Sequence, residues 1–258
     1  MRKQIDLMSS IVILGTGNSA YAFAKAISNT DLKLAGVWGR DAEKTQLFAN
    51  QFACAAFNSF HEIESSADIL LLAVKDNAID ELAEKIKTDK LVLHCSGMQS
   101  INILKQENIG VIWPLQSIKK DSFLDFKNTP ICIEANSENN LTILKSFANS
   151  LSQSVHLVNS AQREYLHLAA VLTNNFSNHL LALAKNICDE QNLNFEILKP
   201  IIHQTIENAF AQHPKLNQTG PAIRKDSETM NKHLQLLENN KQLKNLYELM
   251  SKSIIDMK

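Results

Sequence analysis

Over its first 158 residues the chain alternates short apolar runs with segments that repeat apolar residues at helical spacing. The runs are rich in Ile, Leu and Val, a composition typical of strands buried on both faces of a sheet. They predict strands at 11–14, 32–38, 53–57, 69–74, 91–94, 111–112, 131–133 and 155–158. Strands separated by helices in this way predict an α/β fold with a doubly wound, mostly parallel sheet.

The pattern changes at about Asn159. From Gln162 to Asn192 apolar residues recur at helical spacing without a convincing break, over a length that exceeds an average helix severalfold. Further helices are predicted at 196–212, 227–238 and 242–255. The sequence therefore predicts two domains, an α/β domain at 1–158 and an all-α domain at 159–258. Because no Pro/Gly-rich linker separates them, we expect them to pack closely.

A glycine-rich turn follows the first predicted strand and precedes a predicted helix. It has the Gly-x-Gly-x-x-Ala spacing of the dinucleotide fingerprint: Gly15, Thr16, Gly17, Asn18, Ser19 and Ala20. The first glycine allows a tight turn, the second lets the backbone approach a pyrophosphate, and the alanine keeps the helix near the strand. The N–H groups at the helix start would face the phosphates. The α/β domain is therefore predicted to be a Rossmann-type domain that binds a nicotinamide cofactor. The alternative is a tight strand–helix turn that binds nothing.

The end of the second strand indicates which cofactor is bound. An NAD site usually has an acidic residue there, whereas this chain has Gly39 followed by Arg40. An arginine can hold a 2′-phosphate through two parallel hydrogen bonds, which favours NADP. The alternative is a surface arginine that pairs with Asp41 or Glu43.

Composition excludes several classes of partner. The formal net charge of the 258 residues is −1, which gives no sign of nucleic-acid binding. No apolar run reaches the ~18 residues that a membrane span needs. The cysteines are scattered and form no C-x-x-C pair, which argues against a metal site and favours reduced thiols in the cytoplasm: Cys54, Cys95, Cys132 and Cys188.

Two polar groups on the long predicted helix are candidates for catalysis. His167 and Asn175 lie two turns apart on an otherwise apolar helix. A histidine can donate a proton to a developing alkoxide near neutral pH, and an asparagine N–H can hold the same oxygen. The alternative is that both are hydrogen-bonded residues of an interface. A third candidate is Lys75, which follows Val74 at the carboxyl end of the strand 69–74, where open α/β sheets bind ligands.

A turn in the helical domain is a candidate substrate site. Gly220 and Pro221 force the turn, and Asp226 or Ser227 can cap the helix that follows. Arg224 between them could clamp a carboxylate. The structural alternative is a capped helix with a local ion pair between Arg224 and Asp226.

These motifs resemble a family in which a Rossmann-like domain precedes a domain of unknown function numbered 2520 (DUF2520). The resemblance covers nearly the whole chain. It rests mainly on the string Thr219-Gly220-Pro221 with Arg224, Asp226, Thr229 and His233, and then on His167-Leu168-Ala169-Ala170-Val171 with Asn175. Weaker matches are Ala73-Val74-Lys75-Asp76 and His94-Cys95-Ser96-Gly97. Trp113 departs from the family, which has histidine before Pro-Leu-Gln.

The resemblance implies an NADP-dependent oxidoreductase related to pyrroline-carboxylate reductase. Some members resemble ketopantoate reductases of pantothenate synthesis, so the leading expectation is NADPH-dependent reduction of a small 2-oxo acid. The alternatives are an imine or pyrroline-5-carboxylate reductase and a non-catalytic NADP-binding sensor. The resemblance implies substrate contacts and a homodimer formed through the helical domain; the expected contacts are Ser96, Thr219, Gly220, Arg224 and Asp226. His167 or Lys75 is the expected acid, with Asn175 on the carbonyl. The cofactor contacts expected are Gly15, Gly17, Asn18, Ser19, Ala20, Arg40, Val74 and Lys75.

Overall fold

A computed structural model describes residues 10–119 and 126–257. The chain forms two compact units, of which the first ends at Leu172 and the second begins at Thr173. The domain boundary predicted from the sequence lies earlier, where Asn159 caps the helix Ser160–Ala170. No helix among the described residues is long and apolar enough to cross a membrane.

The first unit contains one eight-stranded sheet in the order β3-β2-β1-β4-β5-β6-β7-β8. The strands are β1 (Ser10–Leu14), β2 (Lys33–Trp38), β3 (Ala55–Ala56), β4 (Ile69–Leu72), β5 (Leu91–His94), β6 (Ile109–Pro114), β7 (Ile131–Ala135) and β8 (Val155–Leu157). All neighbouring strands are parallel except β6 and β7, so the predicted mostly parallel sheet is confirmed. The strand order reverses between β1 and β4, which is where doubly wound sheets bind nucleotides.

Helices cover both faces of this sheet. They are α1 (Asn18–Ile27), α2 (Ala42–Phe52), α3 (Phe60–Ser66), α4 (Ile79–Lys85), α5 (Glu138–Leu151) and α6 (Ser160–Ala170). Side chains alternate between the faces along each strand. In β1, for example, Ile11 and Ile13 pack with Phe23 of α1, whereas Val12 and Leu14 belong to the opposite core. That second core also includes Trp113, and Leu166 of α6 packs against it.

The second unit is helical, as predicted. Its helices are α7 (Ser177–Glu190), α8 (Lys199–Ala211), α9 (Pro221–Arg224), α10 (Ser227–Leu236) and α11 (Lys241–Asp256). The helix predicted at 162–192 is present as α6 and α7, but a π-helical segment, Val171–Phe176, joins them. Among the described residues of this unit only three are buried: Cys188, Ala222 and Ser251.

Candidate cofactor site and active site

The turn between β1 and α1 has the backbone that the fingerprint predicts. Gly15 has φ +130°, and its N–H donates a hydrogen bond to the carbonyl oxygen of Trp38 at 2.7 Å. A Cβ atom at Gly15 would lie 2.2 Å from the carbonyl oxygen of Ala73. Only glycine fits this position, because both the φ angle and the close approach of β4 exclude a side chain.

Gly17 presents the open end of α1. A Cβ atom at this position would meet no protein atom within 4 Å, so the space beside it is free for a ligand. Gly17 is the N-cap of α1, no side chain caps the helix, and its first turn carries no acidic residue. The first N–H groups, starting at Asn18 and Ser19, therefore meet the requirements of a pyrophosphate site. Ala20, in the first turn of α1, is fully buried.

Arg40 is exposed directly after β2. It takes part in none of the ion pairs found within 10–119 and 126–257. Asp41 instead caps α2 by accepting from the N–H of Lys44 at 3.1 Å, and it pairs with the Lys44 ammonium at 3.1 Å. The alternative interpretation, in which Arg40 pairs with Asp41 or Glu43, is therefore wrong, and the guanidinium remains available to a 2′-phosphate.

A cavity of about 180 Å³ lies at the carboxyl ends of β5 and β6. It is lined by Ser19, Phe23, Cys95, Trp113, Pro114, Gln116 and Ile118. Ser19 links the cavity to the first turn of α1, so cofactor site and cavity are contiguous. Burial raises the pKa of the Cys95 thiol to about 12, which keeps it neutral. Lys75 is exposed at the start of a 3₁₀ turn after β4 and does not line the cavity.

Trp113 connects the cavity to His167. The two rings have centroids 5.8 Å apart and planes tilted by 40°. Gly97 lies against both, since a Cβ atom at Gly97 would be 2.6 Å from Cδ2 of His167 and 2.9 Å from Cε2 of Trp113. The structure therefore brings His167 to the carboxyl edge of the sheet. Trp113 stands where the family of the resemblance has histidine, so the resemblance was weak evidence for a role of this residue.

The turn after β5 is held by its own side chains. The backbone N–H of Ser96 donates to Nδ1 of His94 at 3.2 Å, and Ser96 Oγ accepts from the N–H groups of Met98 and Gln99 at 3.1 and 3.0 Å. His94 is fully buried, and its Nε2 atom has no partner among the described residues. Burial, with a smaller effect of the Arg163 charge, lowers the pKa of His94 to about 4. Ser96, a predicted substrate contact, is buried in this turn.

A buried ion pair lies one turn before His167, and sequence analysis did not single it out. Arg163 of α6 donates to Oε2 of Glu134 in β7 at 2.6 Å, and its guanidinium is 1% exposed. The only signal in the sequence was a glutamate at the end of the otherwise apolar run Ile131–Ala135. Its partner lay in a different predicted domain.

The other predicted site residues belong to the second unit. Thr219 and Gly220 precede α9, with Gly220 at φ +102°, and Arg224 ends α9 as an exposed residue. Asp226 caps α10 by accepting from the N–H and hydroxyl of Thr229 at 3.0 and 2.8 Å, which lowers its pKa. No ion pair joins Asp226 to Arg224, so the predicted local pair is wrong.

Two further polar residues that the sequence motifs include lie in this unit. Asn175 is exposed in the π-helical segment. His233 of α10 shares a hydrogen bond of 2.8 Å with the hydroxyl of Tyr247 in α11.

Comparison with known proteins places this geometry in a family. The family model described as a domain of unknown function (DUF2520) matches residues 129–254, and the model described as NADP oxidoreductase coenzyme F420-dependent matches residues 10–96. No match was found among curated proteins.

Solved structures match over nearly the full length. A Bacteroides fragilis protein assigned as an NADP oxidoreductase is 34% identical, with 97% of this chain and 99% of that chain covered and a TM-score of 0.86. An imine reductase of Myxococcus stipitatus in complex with NADP⁺ is 15% identical (95% and 92% covered, TM-score 0.70), and a 1-pyrroline-5-carboxylate reductase of Streptococcus pyogenes is 16% identical (97% and 98%, 0.63). These two reductases share the fold. The chain therefore belongs to the family of NADP oxidoreductases in which a Rossmann-like domain precedes the DUF2520 domain, and NADP is its cofactor.

Proposed function

We propose that this oxidoreductase uses NADPH to reduce the carbonyl group of a small 2-oxo acid, with ketopantoate as the first substrate to test. The observation that carries the proposal is the contiguity of three features: the open helix start at Gly17, the cavity that Ser19 and Trp113 line, and the imidazole of His167 against Trp113. A bound NADPH supplies the hydride for such a reduction.

The residues of the first unit have distinct roles in holding the cofactor. Gly15 and Gly17 keep the turn narrow and open, and the N–H groups of Asn18 and Ser19 face the pyrophosphate. Arg40 pairs with the 2′-phosphate. Val74 and Lys75, after β4, border the same edge of the sheet.

The chemical step needs a proton donor and a group that holds the substrate carboxylate. His167 is the proposed donor, because an imidazole can donate a proton to a developing alkoxide. Lys75 is the alternative donor. Asn175 is proposed to hold the reacting oxygen and Arg224 the carboxylate, with Ser96, Thr219, Gly220 and Asp226 as the remaining substrate contacts.

The second candidate is reduction of a carbon–nitrogen double bond. The structural likeness to an imine reductase and a pyrroline-5-carboxylate reductase favours it, since a fold of this kind accommodates that chemistry. A cyclic imine that carries a carboxylate would use the same donor and the same clamp. The two candidates differ only in the substrate atom that accepts the proton.

The test is NADPH oxidation over a panel of ketopantoate, other 2-oxo acids, pyrroline-5-carboxylate and a cyclic imine without a carboxylate. Turnover of 2-oxo acids alone supports the proposal, and turnover of imines alone supports the second candidate. NADPH binding without turnover of any substrate would contradict both and leave a non-catalytic sensor. Gly17→Val serves as the control, because its Cβ atom meets no protein atom within 4 Å and its branched side chain would occupy the space of the phosphates, so NADPH binding should be abolished in a folded protein.

We also propose that the enzyme is a homodimer formed through the second unit. This unit buries almost none of its own residues, and α8 buries none. Large apolar side chains are exposed along it, including Phe210 at 91%, Ile197 at 72% and Ile201 at 65%. A second copy presents the same apolar surface and would bury both, as obligate homodimers do.

Sedimentation velocity tests this proposal. We expect a dimer that Phe210→Asp weakens, and a monomer at micromolar concentration would contradict it. The free thiols of Cys54, Cys95, Cys132 and Cys188 fit the reducing cytoplasm that we propose as its compartment.

A further inference from the structure

One buried guanidinium joins three parts of the first unit. Arg163 donates to Oε2 of Glu134 in β7 at 2.6 Å, to the carbonyl oxygen of Gln99 at 2.5 Å and to Ser160 Oγ at 3.2 Å. Ser160 Oγ in turn donates to the same Glu134 oxygen at 2.7 Å and accepts from the N–H of Ile101 at 3.0 Å. Helix α6, strand β7 and the loop 99–101 therefore meet at a single side chain.

The contact between Gly97 and His167 in the candidate active site is connected to this network from both sides. His167 follows Arg163 by four residues on α6, so the two side chains lie on the same face of the helix. Gly97 precedes Gln99 by two residues in the loop. The contact between Gly97 and His167 is tight, with 2.6 Å from a Cβ position on Gly97 to Cδ2 of His167. Arg163 thus restrains both sides of that contact.

We infer that Arg163 is a positioning residue that fixes where the imidazole of His167 lies relative to Gly97 and Trp113. The inference rests on the proposed function only for the claim that His167 acts on the substrate. With 1% of its side chain exposed, Arg163 cannot touch a substrate itself. Its planar fork binds a carboxylate and a carbonyl oxygen in different directions at once, which a lysine ammonium on a flexible stem does less well.

The burial of this network does not by itself indicate that its role is to stabilise the fold. Replacing a buried ion pair by apolar side chains of similar volume is often neutral or stabilising, so a buried pair is weak evidence for a contribution to stability. This property also provides the test. The double variant Arg163→Met/Glu134→Leu should fold, because it leaves no unpaired buried charge, yet it lacks every contact from the guanidinium to the loop 99–101.

The first measurement uses the free enzyme and needs no substrate. The chain has two tryptophans, so Trp38→Phe leaves Trp113 as the only one. A protonated imidazole quenches an indole that it contacts, so acid titration should produce a fluorescence step from His167, and His167→Gln identifies the step by removing it. In the Arg163→Met/Glu134→Leu background we expect the step to lose most of its amplitude. A step of unchanged amplitude would overturn the inference.

The second measurement separates positioning from binding. We expect kcat of the double variant to fall by roughly 10- to 100-fold, since a displacement of about 1 Å at a catalytic group costs up to about 10²-fold. The Kd for NADPH should stay within about twofold, because the cofactor turn is not part of the network. Glu164→Gln, an exposed neighbour on α6, is the matched control and should change neither quantity.

The two measurements distinguish a failure of this inference from a failure of the proposed function. If no substrate of the panel is turned over, the proposed function fails, while the fluorescence step still decides the role of Arg163. Should the double variant not fold, Arg163→Lys replaces it, since the ammonium keeps a charge that pairs with Glu134 but lacks the planar fork that also reaches the carbonyl oxygen of Gln99. With that variant, an unchanged step together with unchanged kcat would overturn the inference.

Discussion

Substitution of Gly97 by alanine tests the contact at the centre of the candidate active site. The new Cβ atom would lie 2.6 Å from Cδ2 of His167, about 0.8 Å short of the 3.4 Å at which ordinary contact begins, and 2.9 and 3.0 Å from two ring atoms of Trp113. Overpacking of this kind costs about 1–3 kcal/mol. Replacing glycine also lowers the conformational entropy of the unfolded chain, which stabilises the folded protein by about 0.4–1 kcal/mol. We therefore expect a net destabilisation of about 1–2 kcal/mol.

Thermal unfolding measures this cost. At about 2–4 °C per kcal/mol for a chain of this size, Gly97→Ala should lower Tm by roughly 2–8 °C. It should also lower kcat by roughly 10- to 100-fold with NADPH binding retained, because His167 has to move by most of an ångström. Gly17→Ala is the matched control: its Cβ meets no atom within 4 Å, so Tm should hardly change while NADPH affinity falls.

A double-mutant cycle tests whether Gly97 and His167 are in contact. Removing the imidazole by His167→Ala deletes the closest of the three overlaps, so Gly97→Ala should cost measurably less stability in that background. An equal cost in both backgrounds would show that Gly97 and His167 are not in contact, and the site would then have to be built around other residues.

Three other predictions concern the cofactor, the proton donor and pH. Arg40→Ala should weaken NADPH binding by roughly 10- to 100-fold, from about 1.5–3 kcal/mol for a charged contact, and leave NADH binding unchanged by calorimetry; equal wild-type affinities for the two cofactors would refute this role. His167→Ala should lower kcat by about 10²–10⁴-fold with NADPH binding intact, whereas full activity in His167→Ala and its loss in Lys75→Ala would make Lys75 the donor. The pKa of His94 is about 4 in the folded protein, against 6.5 for an ordinary histidine. Between these two pH values the unfolded chain binds a proton that the folded protein does not. The free energy of unfolding should therefore fall by up to about 3 kcal/mol as the pH drops from 6.5 to 4. Denaturant titrations should show a smaller loss in His94→Asn than in the exposed-site control His61→Asn, and equal losses would contradict it.

The backbone of the glycine-rich turn was predictable because its requirements are local. Gly15 needs a positive φ and no side chain, and Gly17 needs free space. Each of these conditions depends on only a few consecutive residues. The doubly wound sheet was predictable for the same reason, since apolar runs and helical spacing alternate regularly.

The part of the candidate site around His167 depends on contacts between distant segments, which the sequence alone could not provide. Trp113 lies against His167 only because β6 and α6 meet, and Arg163 is buried only because Glu134 faces it. The π-helical segment Val171–Phe176 was missed because α and π helices differ in backbone hydrogen bonds and share the same apolar pattern.

The reversal of the last two strands determines the direction in which α6 runs. In a wholly parallel sheet every strand ends at the nucleotide-binding edge, and the helix that follows runs away from that edge. Because β7 and β8 are antiparallel to β6, the chain leaves β8 at the opposite edge, and α6 runs in the direction of β6, from Ser160 beside Glu134 to His167 beside Trp113. The number of residues along α6 therefore sets the position of His167 at this edge of the sheet, since each residue adds a rise of about 1.5 Å and a rotation of about 100°. One residue inserted between Arg163 and His167 would turn the imidazole away from Gly97 while leaving every strand in place, so the number of residues in this helical turn decides which side chain faces Gly97.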